Sequence, residues 1–155
     1  MLTVKTYLAP SAVHGIGLFA LEPIPANTVV WAFDPIIDKV YSENHFLKLC
    51  REANGPTLHH LLNASYRRGG RFFYLTDNAR FINHSGSLAN IGFVDDFNEV
   101  ALARIEAHEE ILENYLHSYD ATDFFFQELN NPDPLLYLQT MQDPGYAHAY
   151  HKNLS

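Results

Sequence analysis

Residues 78–85 read Asn78-Ala79-Arg80-Phe81-Ile82-Asn83-His84-Ser85, and two further segments flank them in a fixed order. Upstream stands His14-Gly15-Ile16-Gly17-Leu18-Phe19-Ala20; downstream stands Glu109-Glu110-Ile111-Leu112-Glu113-Asn114-Tyr115. Each is weak alone. Two glycines one residue apart ordinarily mark a tight turn, although backbone without Cβ can also approach a ligand closely and offer it amides and carbonyls. An isolated Asn-His pair is ordinarily a structural pair bonded to nearby backbone. A single tyrosine among nine is by default a core or surface aromatic. Their value lies in standing together, in this order.

Together the three segments resemble the signature of SET-domain protein lysine methyltransferases, in which a G-x-G turn, an R-F-I-N-H-S segment and a G-E-E-L-x-x-D-Y segment converge on one cofactor. The resemblance implies a mainly β (α+β) SET-domain sheet fold with short helices and a threaded C-terminal segment. Residues 1–120 would form the SET domain, with a helical insert at about 42–65, and residues 121–155 a helical, aromatic extension packed on it. S-adenosylmethionine is the implied cofactor, and methyl transfer to a protein lysine ε-amine the implied reaction. By the same resemblance, the main chain of Gly15, Ile16 and Gly17 would contact the methionine portion of the cofactor, and Asn83 would bond its amino-acid end. The His84 backbone would read the adenine edge while its ring braces the threaded segment, with Asn78 and Arg80 behind them. Tyr115 would be the catalytic residue, and Glu113, Tyr74 and Phe125 would line the substrate channel. The reading is a histone-lysine methyltransferase-like enzyme; the alternative is a catalytically inactive SET-like module that binds a protein or peptide. A small enzyme acting on a non-protein amine is a third possibility.

The chain departs from the family pattern in a few places. After Ser85 the common Cys-x-Pro-Asn is replaced by Gly86-Ser87-Leu88-Ala89-Asn90, with no cysteine or proline and the Asn one residue late. His108 replaces the usual Gly and Asn114 the usual Asp. Glu113 stands where many members have Phe or Tyr. If Ile111 to Tyr115 is extended, alternation puts Ile111, Glu113 and Tyr115 on one face. A carboxylate there could bind an incoming ammonium while opposing its deprotonation, or it could turn to solvent or pair with an arginine.

Composition narrows the class. The 155 residues, 47% hydrophobic with eleven Phe and nine Tyr, suffice for one real core. The only cysteine, Cys50, excludes an intramolecular disulfide and any cysteine-rich zinc cluster of the pre-SET or post-SET kind. With ten Lys and Arg against a net charge of −8, the chain has no surface suited to many phosphates, so nucleic acid is not an expected partner. An acidic field suits a basic, lysine-containing protein or peptide, as it also suits solubility. Met1-Leu2-Thr3-Val4-Lys5 opens no signal sequence and no run is long enough for a membrane span, so the protein is expected to be intracellular and soluble, cytoplasmic or nuclear, as a monomer or homodimer. His148-x-x-His151 has non-specific spacing, and no metal is expected.

Elements follow from local pattern. The β-branched and aromatic run Thr28 to Phe33, between Pro25 and Pro35, predicts a strand, as does Arg71 to Leu75 after Gly69-Gly70. Ser42 is placed to cap a helix with Phe46 and Leu49 on one face, and Pro56 with Leu58, Leu61 and Leu62 predicts a second. Ile91 to Val94 and Glu99 to Ile105 read as a hairpin around Asp95-Asp96-Phe97-Asn98. Phe124-Phe125-Phe126 cannot all enter one core from one helix face, so at least one covers something else. The resemblance implies that they close over the cofactor and the lysine channel; the alternative is a C-terminal helix packed on the core or a dimer contact. Asp133-Pro134 would open a helix from Leu135 to Met141.

Overall fold

The structure is a computed structural model that describes residues 1–128, so the expected helix from Leu135 to Met141 and the His148-x-x-His151 pair lie outside the described residues. In chain order the strands and helices begin with β1 (Thr6–Pro10), β2 (Ile16–Ala20), β3 (Val29–Ala32), β4 (Lys39–Ser42), α1 (Glu43–Glu52), α2 (Gly55–Asn63), β5 (Ser65–Arg68) and β6 (Arg71–Tyr74). A 3-10 turn (Asn78–Phe81) follows, then β7 (Asn83–His84), β8 (Ile91–Phe93), β9 (Asn98–Ala101), β10 (Leu112–Glu113), α3 (Tyr115–Ser118) and α4 (Phe124–Glu128). The described residues form two compact units, one of residues 1–39 and 75–118, the other of residues 40–74 and 119–128. Among the described residues no helix is long and apolar enough to cross a membrane.

In the first unit, β1 pairs antiparallel with β2, Pro10 opposite Ile16. Ser11 builds the turn between them: its N–H donates to the Gly15 carbonyl (2.9 Å), and its hydroxyl accepts the amides of Val13 (2.8 Å) and His14 (3.1 Å). Gly15 closes the turn at φ +51°, a conformation only glycine adopts without strain. The other edge of β2 is taken by residues 108–111, through Ala20 N–H to the Glu109 carbonyl (3.0 Å) and Ile111 N–H to the Leu18 carbonyl (2.7 Å). Leu18, Ala20, Ile82, Ile91 and Ile111 are buried, each large aliphatic contributing about 1.5–3 kcal/mol of burial.

A five-stranded sheet runs in the order β3-β9-β8-β10-β7. β8 and β9 form the expected hairpin, but the second strand stops at Ala101. The chain bends at Leu102 and Ala103, and Ile105 makes a lone bridge to Ile24. β10 lies between β7 and β8 and is parallel to both, with Leu112 opposite Asn83 and Glu113 opposite His84 and Ile91. This is the threaded segment, passing under the loop that joins β7 to β8. Threading overturns the expected alternation: Ile111, Leu112 and Glu113 are all buried, because a strand with neighbours on both sides and both faces covered has no solvent side. Tyr115 is no longer in the strand and opens α3.

In the second unit α1 follows Ser42, whose hydroxyl makes no capping bond. The face it buries is Phe46, Leu47 and Cys50, with Leu49 only half-buried, since the helix is turned so that Phe46 stacks on Phe72 of β6 at 4.1 Å. Burial pushes the Cys50 thiol up to about 11, which disfavours the thiolate at neutral pH. Asn54 caps α2 by accepting the Thr57 amide (3.0 Å), and Leu58 and Leu62 face inward. The three-stranded sheet β4-β6-β5 contains a strand, β5, that the sequence did not announce. Gly69 and Gly70, both at positive φ, form the two-residue turn from β5 to β6. Of the three phenylalanines only Phe124 joins this core; Phe125 and Phe126 are half-buried and meet edge to face at 5.3 Å.

Candidate functional site

The site is built within the first unit from the three quoted segments. The Asn83 amide nitrogen reaches three acceptors: the carbonyls of His14 (2.9 Å) and Ile16 (3.2 Å) and the Oε1 of Glu110 (2.9 Å). One side chain thereby joins the glycine turn to the threaded segment. The second carboxylate oxygen of Glu110 accepts the Ser11 hydroxyl at 3.0 Å. Gly17 is where this carboxylate lies against the backbone: a Cβ there would stand 2.2 Å from Oε1.

His84, next along β7, accepts the Tyr115 amide on Nδ1 at 3.1 Å, so the neutral ring carries its proton on Nε2. The Tyr115 ring lies 5.2 Å from the imidazole, and its hydroxyl donates to the Ile82 carbonyl. A phenol whose proton is held by a carbonyl meets an incoming group as an acceptor. Asn114 shapes the turn into α3 by accepting the Leu116 amide on its side-chain oxygen (3.1 Å), a task Asn performs as well as Asp.

Asn90, the displaced residue, is buried and binds the threaded segment on three counts. Its Nδ2 donates to the Glu110 carbonyl (2.8 Å) and to Glu109 (3.2 Å), and its Oδ1 accepts the Leu112 amide (2.9 Å). The extra residue before it is taken up by the turn at Gly86 to Leu88, where Ser85 Oγ accepts the Leu88 amide at 3.0 Å. His108 sits at φ +68°, which explains why glycine suits this position; its ring is held by the Tyr7 hydroxyl at 3.1 Å. Nothing local in the sequence marks Ser11 or Asn90 as site residues, and Glu110 is marked only as part of its sequence frame.

The structure therefore brings together Gly15, Ile16, Gly17, Asn83, His84 and Tyr115. Glu113 is buried in the same ladder, 3% exposed, which overturns the reading that turned it to solvent. Asn78 and Arg80 are exposed, the latter over the Phe81 ring at 4.9 Å. Tyr74 and Phe125 belong to the second unit. The Tyr74 hydroxyl meets His60 Nε2 at 3.0 Å, and the Phe125 amide donates to Asp123 at 2.8 Å.

The SET domain profile matches residues 15–116, and the chain belongs to the SET domain family. A search of curated proteins gives no match. Among solved structures, polycomb repressive complex 2 of Chaetomium thermophilum, in an autoinhibited conformation bound to S-adenosylmethionine, superposes with a TM-score of 0.57 and 19% identity over 82% of this chain. A further structure of that complex gives 0.55 and 20% over 72%. This chain spans only 17% and 15% of those chains. A candidate histone methyltransferase from Plasmodium falciparum is 24% identical over 76% of this chain and 97% of its own, with a TM-score of 0.47. At such identities the first two likenesses concern the fold.

The residues present fit S-adenosylmethionine at its methionine end. A group with several N–H donors and a positive charge is what a cluster of two carbonyls and a carboxylate accommodates.

Proposed function

We propose that this chain transfers a methyl group from S-adenosylmethionine to the ε-amine of a lysine in a basic protein or peptide. The observation that carries the reading is the double junction at β7: Asn83 ties the glycine turn to Glu110, and His84 ties Tyr115 to the same strand. Gly15, Ile16 and Gly17 would hold the methionine portion through their main chain, with Asn83 at its amino-acid end and the His84 backbone at the adenine.

Bound S-adenosylmethionine supplies an electrophilic methyl on a sulfonium. In the displacement the lysine nitrogen would form the new bond to carbon as the carbon–sulfur bond breaks, leaving a neutral thioether and a methylated ammonium. The amine must arrive neutral and aligned, and with a reference pKa near 10.4 its deprotonation at neutral pH costs about 4–5 kcal/mol. The protein's part is to desolvate the ammonium, which lowers that cost, and to hold the amine in line. Tyr115, its proton committed to Ile82, would accept from the amine and orient it.

The test is Tyr115→Phe. Methyl transfer to a lysine-rich peptide is expected to fall by about 100-fold or more while cofactor affinity stays within about threefold. Unchanged transfer would remove Tyr115 from the reaction.

A further inference from the structure

The Asn83 amide has two protons and meets three acceptors, His14 O, Ile16 O and Glu110 Oε1, so one of the three is left for a further donor. Turning the amide over would worsen matters, because its oxygen would then face all three. One of the three is a carboxylate. Glu110 is half-buried, and its side-chain partners among the described residues, Asn83 and Ser11, are both neutral. A half-buried carboxylate held by neutral donors alone keeps an unbalanced charge in a place of reduced dielectric. The lack of a side chain at Gly17 is what lets it stand there, since a Cβ would meet Oε1 at 2.2 Å and the carboxyl carbon at 2.8 Å.

We infer that Glu110 is the counter-charge for the α-ammonium of the cofactor, so that the pocket selects a ligand with a free α-amino group. The inference rests on the cofactor reading above. An ammonium brings three N–H donors and a positive charge to a cluster short of both. The cofactor's own carboxylate is excluded from the same place by repulsion from Glu110, which sets the orientation of the methionine end. Glu110 is thus a binding and specificity residue, and the glycine at position 17 serves it.

The experiment is calorimetric titration of the full chain with S-adenosylhomocysteine and with its analogue lacking the α-amino group, for the wild type and Glu110→Gln. The wild type is expected to prefer the amine-bearing ligand by about tenfold or more, and the variant to lose most of that preference while binding the analogue as before. Equal weakening of both ligands by E110Q would make Glu110 a structural latch and overturn the inference, as would a wild type indifferent to the amine. Binding of neither ligand by the wild type would overturn the cofactor reading itself. Should E110Q fail to melt cooperatively, Glu110→Asp takes its place: moving the charge back by one methylene is expected to reduce the preference, and an unchanged preference would contradict the assignment.

Discussion

Gly15 and Gly17 stand one residue apart and answer to different constraints. Gly15 has open space where a Cβ would go but a backbone at φ +51°, whereas Gly17 is confined by the Glu110 carboxylate. Gly15→Ala is therefore expected to cost about 1–2 kcal/mol of stability, measured by urea unfolding. Gly17→Ala meets the movable end of a side chain, so the fold should tolerate it, but the displaced carboxylate should weaken S-adenosylmethionine binding by about tenfold or more in a calorimetric titration. Asn90→Ala removes three side-chain hydrogen bonds to the threaded segment and is expected to cost about 2–4 kcal/mol in the same unfolding assay. Tyr115, Asn83 and His84 were legible as candidates because each sits in a fixed sequence frame. Asn90 was obscured by one added residue, since a surface turn absorbs length freely while the strand ends it joins do not move. Ser11 could not be found by any local rule, because its partner Glu110 lies 99 residues away.

The hairpin of β8 and β9 and the helices α1 and α2 follow from periodicity and turn chemistry that the chain carries locally. β10 does not. Its burial on every side arises from insertion between β7 and β8, a long-range pairing that a period-two pattern of one segment cannot express. β5 was hidden for a similar reason: Ser65 to Arg68 is polar, and it becomes a strand by pairing with β6 across Gly69-Gly70. Its Arg67 then gathers the chain after Tyr119, donating to Asp120 (3.0 Å) and Thr122 (2.5 Å) as well as to Glu43 of α1 (2.7 Å), while Asp120 accepts the amides of Gly69 and Gly70. Asp123, buried and accepting the amides of Arg67 (2.5 Å) and Phe125 (2.8 Å), has its carboxyl pushed up to about 7 chiefly by burial, with Asp120 adding to the rise. An acid whose folded pKa is raised contributes stability in its protonated state, and that contribution is lost as pH rises toward about 7. The wild type should accordingly lose up to about 2–3 kcal/mol more stability than Asp123→Asn between pH 5 and pH 8. Denaturant unfolding of both proteins at the two pH values checks this; parallel curves would contradict it.

Across the whole chain the net charge is −8, with eighteen acidic residues against ten basic ones. A basic substrate would be drawn by that field, and its attraction would be screened by salt. The apparent KM for a lysine-rich peptide should thus rise several-fold between about 50 and 300 mM salt, with kcat little changed, as measured by initial methyl-transfer rates. A flat KM would show that recognition is local. The SET domain match over residues 15–116 places the chain in its family, and the three-way contact of Asn83 is the observation on which the proposed cofactor site rests. The most direct measurement is calorimetric titration of the wild type and Asn83→Ala with S-adenosylmethionine. The account predicts saturable single-site binding by the wild type, weakened by about tenfold or more in the variant. No binding by the wild type at millimolar ligand, or equal affinity of the two proteins, would contradict it.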